Sequence, residues 1–419
     1  MKKGIICIGG LLLSCIFTAT LFAGAVDNKT NWSAEYIRTL NRNAATDYAD
    51  IAAYNPAGTV KLEKGFIING SVQFLTKDYK NIINGVEFES SEPSYIPGIF
   101  GVFNQGKWSL FASFSNYGGG GKVDFSEGDY TTNLIAAGIS QQSGGIYEYP
   151  PTAQSLNAES YYLGYSFGGA FSINDMLSIS LVARYIDTFR SAQGSVTLDS
   201  QVTDPLTRVV DYEQDADGWG GSFGLNISPN DAINIGLRFD TETSLDFKAT
   251  VKEGQDILQN PVIGIIDGES ITRNLPAILA LGFSYRFSDK LRIETDLTYY
   301  FNESADWSGD EDNVSNGYDV GFTVEYLFTD KLLGSFGYMH TELGMDPENM
   351  LPENPELDVN TLGAGIAYAF NKNFHGNLSI GNSWYDDDSF AELPPNGIGY
   401  VEYQKNVFFM ALGLEYRFL

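Results

Sequence analysis

From Gly65 to the end of the chain, apolar and polar positions alternate with a period of two. In 275–287 the odd positions are Leu275, Ala277, Leu279, Leu281, Phe283, Tyr285 and Phe287, with Pro276, Ile278, Ala280, Gly282, Ser284 and Arg286 between them. In 291–301 Leu291, Ile293, Thr295, Leu297, Tyr299 and Phe301 alternate with Arg292, Glu294, Asp296, Thr298 and Tyr300. In 318–328 Tyr318, Val320, Phe322, Val324, Tyr326 and Phe328 oppose Asp319, Gly321, Thr323, Glu325 and Leu327. Period two puts each set on one face of a β-strand. The apolar runs match the ~9–11 residues of a tilted membrane strand. Aromatic residues collect at their ends (Tyr285, Phe287, Tyr299, Phe301, Tyr368, Phe370, Tyr416, Phe418), where an interfacial girdle falls. The opposite faces carry Gly, Ser and charges, as a wet lumen does.

Connections between these strands alternate in length. Short ones rich in turn residues lie at 104–107, 174–175, 229–231, 288–290, 329–331 and 371–373. Long ones lie at about 76–94, 118–157, 191–210, 250–272, 302–316, 342–358 and 386–401. Six short turns and seven long loops join fourteen strands. The pattern predicts an all-β fold, an antiparallel transmembrane β-barrel of about 14 strands with short periplasmic turns and long outer loops. The last strand ends in Phe408, Met410, Leu412, Leu414, Tyr416 and Phe418 on one face, followed by Leu419.

The N-terminus differs. Residues 1–25 read as a signal peptide: Lys2 and Lys3, an apolar run from Ile5 to Phe22, then Ala23-Gly24-Ala25. Both cysteines, Cys7 and Cys15, fall inside it. In 26–64, Trp32, Tyr36, Leu40 and Ala44 recur at helical spacing, with Asn31 or Ser33 able to cap. A second small-residue stretch ends in Asn55-Pro56-Ala57-Gly58, a helix stop and turn. Too few large apolar side chains are present to head an ordinary core, so this segment is expected as a mostly helical plug, with the barrel at 65–419.

Composition sharpens the class. The chain has 419 residues, 53 Asp+Glu against 25 Lys+Arg, and a formal charge of −28, which disfavours nucleic-acid binding. Only His340 and His375 exist, with no serine elbow or metal-ligand spacing, so neither catalysis nor a cofactor nor a metal centre is expected. Acidic runs at 211–217, 310–312 and 386–388 read as solvated loop surface, or as groups that divalent cations bridge to each other or to lipid heads.

Several stretches resemble the FadL/TodX family of outer-membrane channels for long-chain fatty acids and other hydrophobic compounds. They are Asn55-Pro56-Ala57, Ser115-Asn116-Tyr117-Gly118, Gly218-Trp219-Gly220-Gly221, Leu245-Asp246-Phe247-Lys248 and Asn274-Leu275-Pro276. The resemblance spans most of the chain beyond the signal. It implies an N-terminal hatch around Asp47, Tyr48, Asn55, Pro56, Ala57 and Gly58. It also implies substrate capture at outer loops, an inner pocket, and a kink in the third strand at Ser115, Asn116, Tyr117, Gly118 and Gly119 that opens the wall sideways. The run Gly118 to Gly121 suits such a break, because Gly permits a bulge. It equally suits a flexible loop.

Two groups of residues are candidates for ligand contact. The apolar cluster Ile257, Leu258, Pro261, Val262, Ile263, Ile265 and Ile266 lies in an outer loop and reads as a capture surface, or as a lid packed on Leu134, Ile135 and Ile139. Arg184 and Arg190 share lumen parity. Each suits a fatty-acid carboxylate, or an ion pair with Asp240, Glu294, Asp296 or Glu325; Arg190, nearer the loops, is the preferred anchor. The expected protein is a monomeric channel, not an enzyme, set in the outer membrane among its lipid and lipopolysaccharide. It takes up hydrophobic small molecules such as a long-chain fatty acid. An aromatic-hydrocarbon channel and a general porin are the alternatives.

Overall fold

The computed structural model describes residues 30–259, 263–392 and 398–418. The signal segment expected at 1–25 lies outside them. Fourteen wall strands run in chain order: β1 Gly65–Ile83, β2 Ser94–Asn104, β3 Trp108–Phe125, β4 Ala153–Ser172, β5 Leu177–Leu198, β6 Leu206–Asn230, β7 Ile233–Asp240, β8 Ile278–Arg286, β9 Leu291–Tyr300, β10 Gly317–Thr329, β11 Leu332–Glu342, β12 Val359–Ala369, β13 Phe374–Tyr385 and β14 Gly399–Phe418. Each pairs antiparallel with its neighbours, and β1 closes the barrel on β14 from Phe66↔Phe418 to Ile83↔Val401. Outward positions form an exposed apolar belt that includes Val72, Phe167, Leu181, Leu281, Phe322, Ile380 and Leu412. Tyr285–Phe287, Tyr326–Phe328, Tyr368–Phe370 and Tyr416–Phe418 pack edge to face along the short-turn rim. A closed ladder wearing such a belt is a membrane-spanning barrel.

Two expectations need correction. The wall on the β3–β6 side is taller than the alternation suggested: β4, β5 and β6 are 20, 22 and 25 residues long. The acidic run 211–217 therefore stands in β6 rather than in a loop. Inward-facing Val196, Leu198, Val210 and Tyr212 bury against loop segments and extend the ladder outward. Asp246–Glu253 and Ser270–Thr272 add to this outer wall, the first pairing with β6. Leu275 is also turned inward and is buried, because it bridges Thr243 before β8 begins.

Residues from 32 to 62 lie inside the barrel, mostly buried. The first helix, α1 Ala34–Thr39, is capped by Ser33 and stops at Leu40, whose φ of 58° is left-handed, so Ala44 is not on it. A second turn, α2 Ile51–Tyr54, gives way at Asn55 to a 3-10 helix, Pro56–Lys61. Most of this backbone is irregular, and its orphan N–H and C=O groups need partners in a dry space. Lumen-facing wall residues supply them. Ala34 N donates to Ser71 Oγ (2.7 Å), Asn43 N to Asp296 Oδ2 (2.8 Å), Ala44 N to Glu294 Oε1 (2.8 Å) and Ala49 N to Glu415 Oε2 (2.7 Å). Arg238 Nη1 donates to the carbonyls of Ala53 and Tyr54, both at 2.7 Å. Polar wall positions at this level hold the plug rather than line water. At Gly236 and Gly337 the fit is closer still: a Cβ there would overlap the backbone carbonyls of Asn43 and Thr39.

Candidate functional site

Among the described residues, the wall is incomplete between β2 and β3. β2 pairs with β3 only from Asn104↔Ser109 up to Gly98↔Ser115. Beyond Ser115, no β2–β3 pair continues among the described residues, although β2 still pairs with β1 up to Leu75↔Ser94. Pro97, which has no N–H to donate, stands where the ladder ends. β3 also slips against β4, with register shifts between Asn116 and Gly118 and between Gly118 and Gly121. Gly119 and Gly121 have φ of +86° and +70°, a conformation other residues rarely adopt. Asn116 Oδ1 accepts from Gly118 N (3.4 Å) and Tyr162 N (3.3 Å), in place of regular ladder bonds.

Two cavities meet at this break. The inner one, about 1300 Å3, lies between the hatch (Tyr36, Ile37, Leu40) and the outer loops. Its walls include Leu75, Tyr79, Ile96, Tyr385, Val407 and Phe409, with the charged Lys77, Lys405, Asp319 and Glu356. Tyr95 and Tyr161, which carry the parity of the belt, also line it, so it reaches the barrel's outer surface beside Gly119–Gly121. The outer cavity, about 1090 Å3, is bounded by Val123, Ile135, Leu156, Val196, Val210, Ile257 and Ile263. Both are lined by Gly120, Gly121 and Asn354. The apolar side chains on both linings suit a small apolar molecule or an acyl chain.

Of the residues singled out in the sequence, Ser115 is the last of β3 paired with β2, Asn116 and Gly118 flank the first register shift against β4, and Gly119 lies within the second. Tyr117 turns inward over Gly164 and packs on Trp32 of the hatch (4.5 Å). Ile257, Leu258 and Ile263 line the outer cavity, whereas Ile265 is buried beneath it with Val210, Tyr212 and Ala249; Val262 lies outside the described residues. Ile135 faces Ile257 across the cavity instead of packing on it, so the simple lid contact is replaced by an open groove. The two arginines divide. Arg184 is buried against Asp240 (3.8 Å), Thr243 Oγ1 (3.2 Å) and the Tyr117 ring, a wall contact. Arg190 stacks on Phe247 (4.0 Å) and Tyr162 (5.1 Å) and lines the outer cavity.

The hatch residues lie in an ionic web. Arg42, fully buried, bonds Asp47 (2.7 Å) and Asp50 (2.6 Å). Arg38 pairs with Glu325, which also pairs with Arg292. Tyr48 sits between the Arg38 and Arg417 guanidiniums, at 5.8 and 5.7 Å. Asn55 Nδ2 donates to Ala45 O (3.0 Å) and Asn226 Oδ1 (2.7 Å). Ser178 Oγ donates to Ala57 O (2.6 Å), and Gly58 packs on the Asn55 side chain. Pro56 opens the 3-10 helix against Gly224.

Sequence reasoning missed Pro97, Lys77 and an acid pair in the outer loops. Asp129 caps a third helix, α3 Tyr130–Gln142, its Oδ1 accepting from Thr132 N (2.9 Å). Its carboxyl is within hydrogen-bond reach of Glu353, which accepts from Thr131 Oγ1 (2.7 Å). Burial pushes Asp129 up to about 6 against the opposing hydrogen bonds of Thr132. Burial, then the Asp129 charge, pushes Glu353 up to about 8. Both folded values exceed the unfolded ones, so the folded loops hold extra protons, and their contact weakens as pH rises toward 8. Protection of the amides in α3 and 343–358, taken relative to their intrinsic exchange rates at each pH, should therefore be lower above pH 8 than near pH 5, and Glu353→Gln should remove most of that loss.

Together these features define a hatch-plugged transmembrane barrel with a cavity path to a gap in its wall. No protein-family model and no curated protein matches the chain by sequence. Solved structures do match it in fold. A Pseudomonas aeruginosa FadL homologue superposes with a TM-score of 0.72 at 12% identity, over 94% of this chain and 100% of the other. The P. putida toluene transporter TodX matches with a TM-score of 0.65 at 14% identity, over 90% and 96%. The Ralstonia pickettii toluene transporter TbuX matches with a TM-score of 0.63 at 16% identity, over 94% and 99%. The chain has the barrel fold of these proteins.

Proposed function

We propose that this protein is an outer-membrane channel for passive uptake of hydrophobic compounds, most suited to long-chain fatty acids. The observation that carries the reading is the meeting of a largely apolar outer cavity and a mixed inner one at the place where the β2–β3 ladder stops. A hydrophobic molecule captured among Ile257, Leu258 and Ile263 leaves the polar lipopolysaccharide surface for the outer cavity, Ile265 supporting the groove from below. From there it passes to the inner chamber and exits sideways into lipid at 115–119. The hatch, 26–64, closes the lower bore to ions and small polar solutes while this path stays open above it. No energy source is needed, since the molecule moves down its own gradient as a monomeric barrel conducts it. Arg190 beside the outer cavity favours a carboxylate-bearing amphiphile. The toluene transporters with the same fold make an aromatic hydrocarbon the second reading.

The test is uptake of labelled oleate and of toluene by cells whose own fatty-acid channel is deleted. Expression should raise oleate entry without admitting small hydrophilic solutes. Arg190→Met should lower oleate entry and spare toluene. Entry of hydrophilic solutes with no gain in either hydrophobe would return the protein to the general-porin class.

A further inference from the structure

The break between β2 and β3 leaves carbonyls on the outer half of β3 without a strand partner on that side. Two of them are taken by one side chain. Lys77, on β1, sends its ammonium past the top of β2 to the carbonyls of Gly120 (3.1 Å) and Lys122. The lysine is 4% exposed and lies by the Tyr79 ring at 5.6 Å. On the near side of the gap Ser94 Oγ is buried with no hydrogen-bond partner, so β2 contributes no bond of its own there. Apart from the Asp124 N bond to Ser90 Oγ (2.8 Å) nearer the strand's end, this charge-assisted crosslink stands where a run of ladder bonds would otherwise hold the wall. The same ammonium lines the inner chamber.

We infer that Lys77 is a latch: it holds the outer half of β3 across the wall gap, and an anionic headgroup in the inner chamber releases it. An ionised acceptor makes a stronger bond to a desolvated ammonium than a neutral carbonyl does, so a carboxylate brought beside Lys77 draws it off Gly120 and Lys122. A neutral hydrophobe offers no such competition and leaves the latch shut. The chamber's other cation, Lys405, is held by Asn354 Oδ1 and the Pro355 carbonyl on a different loop, both at 3.0 Å. Its engagement there leaves β3 untouched. Lys77 therefore couples the charge of the cargo to the width of the exit. The inference rests on the uptake reading above for its cargo, but the latch itself does not.

The test places spin labels at Tyr95→Cys and Lys122→Cys, two outward positions flanking the gap, in the full barrel, which has no cysteine beyond residue 25. The label distance is measured with oleate, with oleyl alcohol, and with neither. The parent should widen with oleate only. Lys77→Met should show the widened distance without any ligand, and Lys77→Arg, which keeps two donors, should behave as the parent. Heat-modified migration on gels reports whether each variant is folded. An unchanged distance in folded Lys77→Met overturns the latch, as does equal widening by oleyl alcohol. If oleate binds neither form, the uptake reading fails, and the Lys77→Met distance alone still decides the latch.

Discussion

Arg42→Ala should turn a closed barrel into an ion-conducting pore. Arg42 is fully buried and neutralises Asp47 and Asp50, and Asp50 is itself fully buried. Removing one partner of such a group leaves an uncompensated charge, at a cost of about 3–5 kcal/mol. The strands do not bear that cost, because both acids belong to the hatch and the ladder is intact without them. It falls on the seated hatch, whose unseated fraction should rise by roughly two to three and a half orders of magnitude at about 1.4 kcal/mol per tenfold. Planar-bilayer conductance should rise, and protease should gain access to 30–64. Glu63→Gln, which breaks an ion pair with Arg417 at an exposed position, should change neither. A silent, protease-resistant Arg42→Ala channel would mean that the wall contacts at Gly236 and Gly337 hold the hatch without its charges.

The fate of the polar lumen positions explains how much of this could be read from the chain. Period-two alternation gave the wall, because one face must meet lipid whatever the other meets. It could not tell water from a protein plug as the second environment: Ser71, Glu294, Asp296 and Glu415 look the same in either case, and they prove to be hatch-binding groups. The inner chamber was hidden for the opposite reason. Leu75, Val407 and Phe409 are apolar on the inward face beside outward Phe74, Phe408 and Met410, so no alternation marks them. Four local glycines marked the kink. The half of the break on β2 rests on Pro97, one residue in a run that otherwise reads as regular strand. Arg184 and Arg190 carry identical parity; Asp240 across the wall pairs with the first, while the second stacks on the Phe247 ring at the edge of the outer cavity. Ile265 and Ile263 lie two residues apart in an irregular loop, where sequence spacing carries no face information.

Removing Gly119 and Gly120 should abolish hydrophobe uptake while leaving a stable barrel. Between Asn116↔Leu163 and Gly121↔Ser160 the chain takes five steps on β3 and three on β4, so the two deleted residues are the whole of the slip. Their loss lets Tyr117 and Gly118 meet Tyr162 and Tyr161 in regular register, with each restored backbone bond contributing about 0.5–1.5 kcal/mol. The straightened β3 then lies beside Ser94–Pro97 of β2 and closes the gap through which Tyr95 and Tyr161 border the chamber. Folding, judged by heat-modified migration, should be unharmed. Oleate should still be captured, since Ile257, Ile263 and Arg190 are unmoved. Entry should fall to the level of cells without the channel. Undiminished uptake by the deletion variant would move the exit from the wall to the hatch, and Arg42→Ala would then have to raise uptake along with conductance.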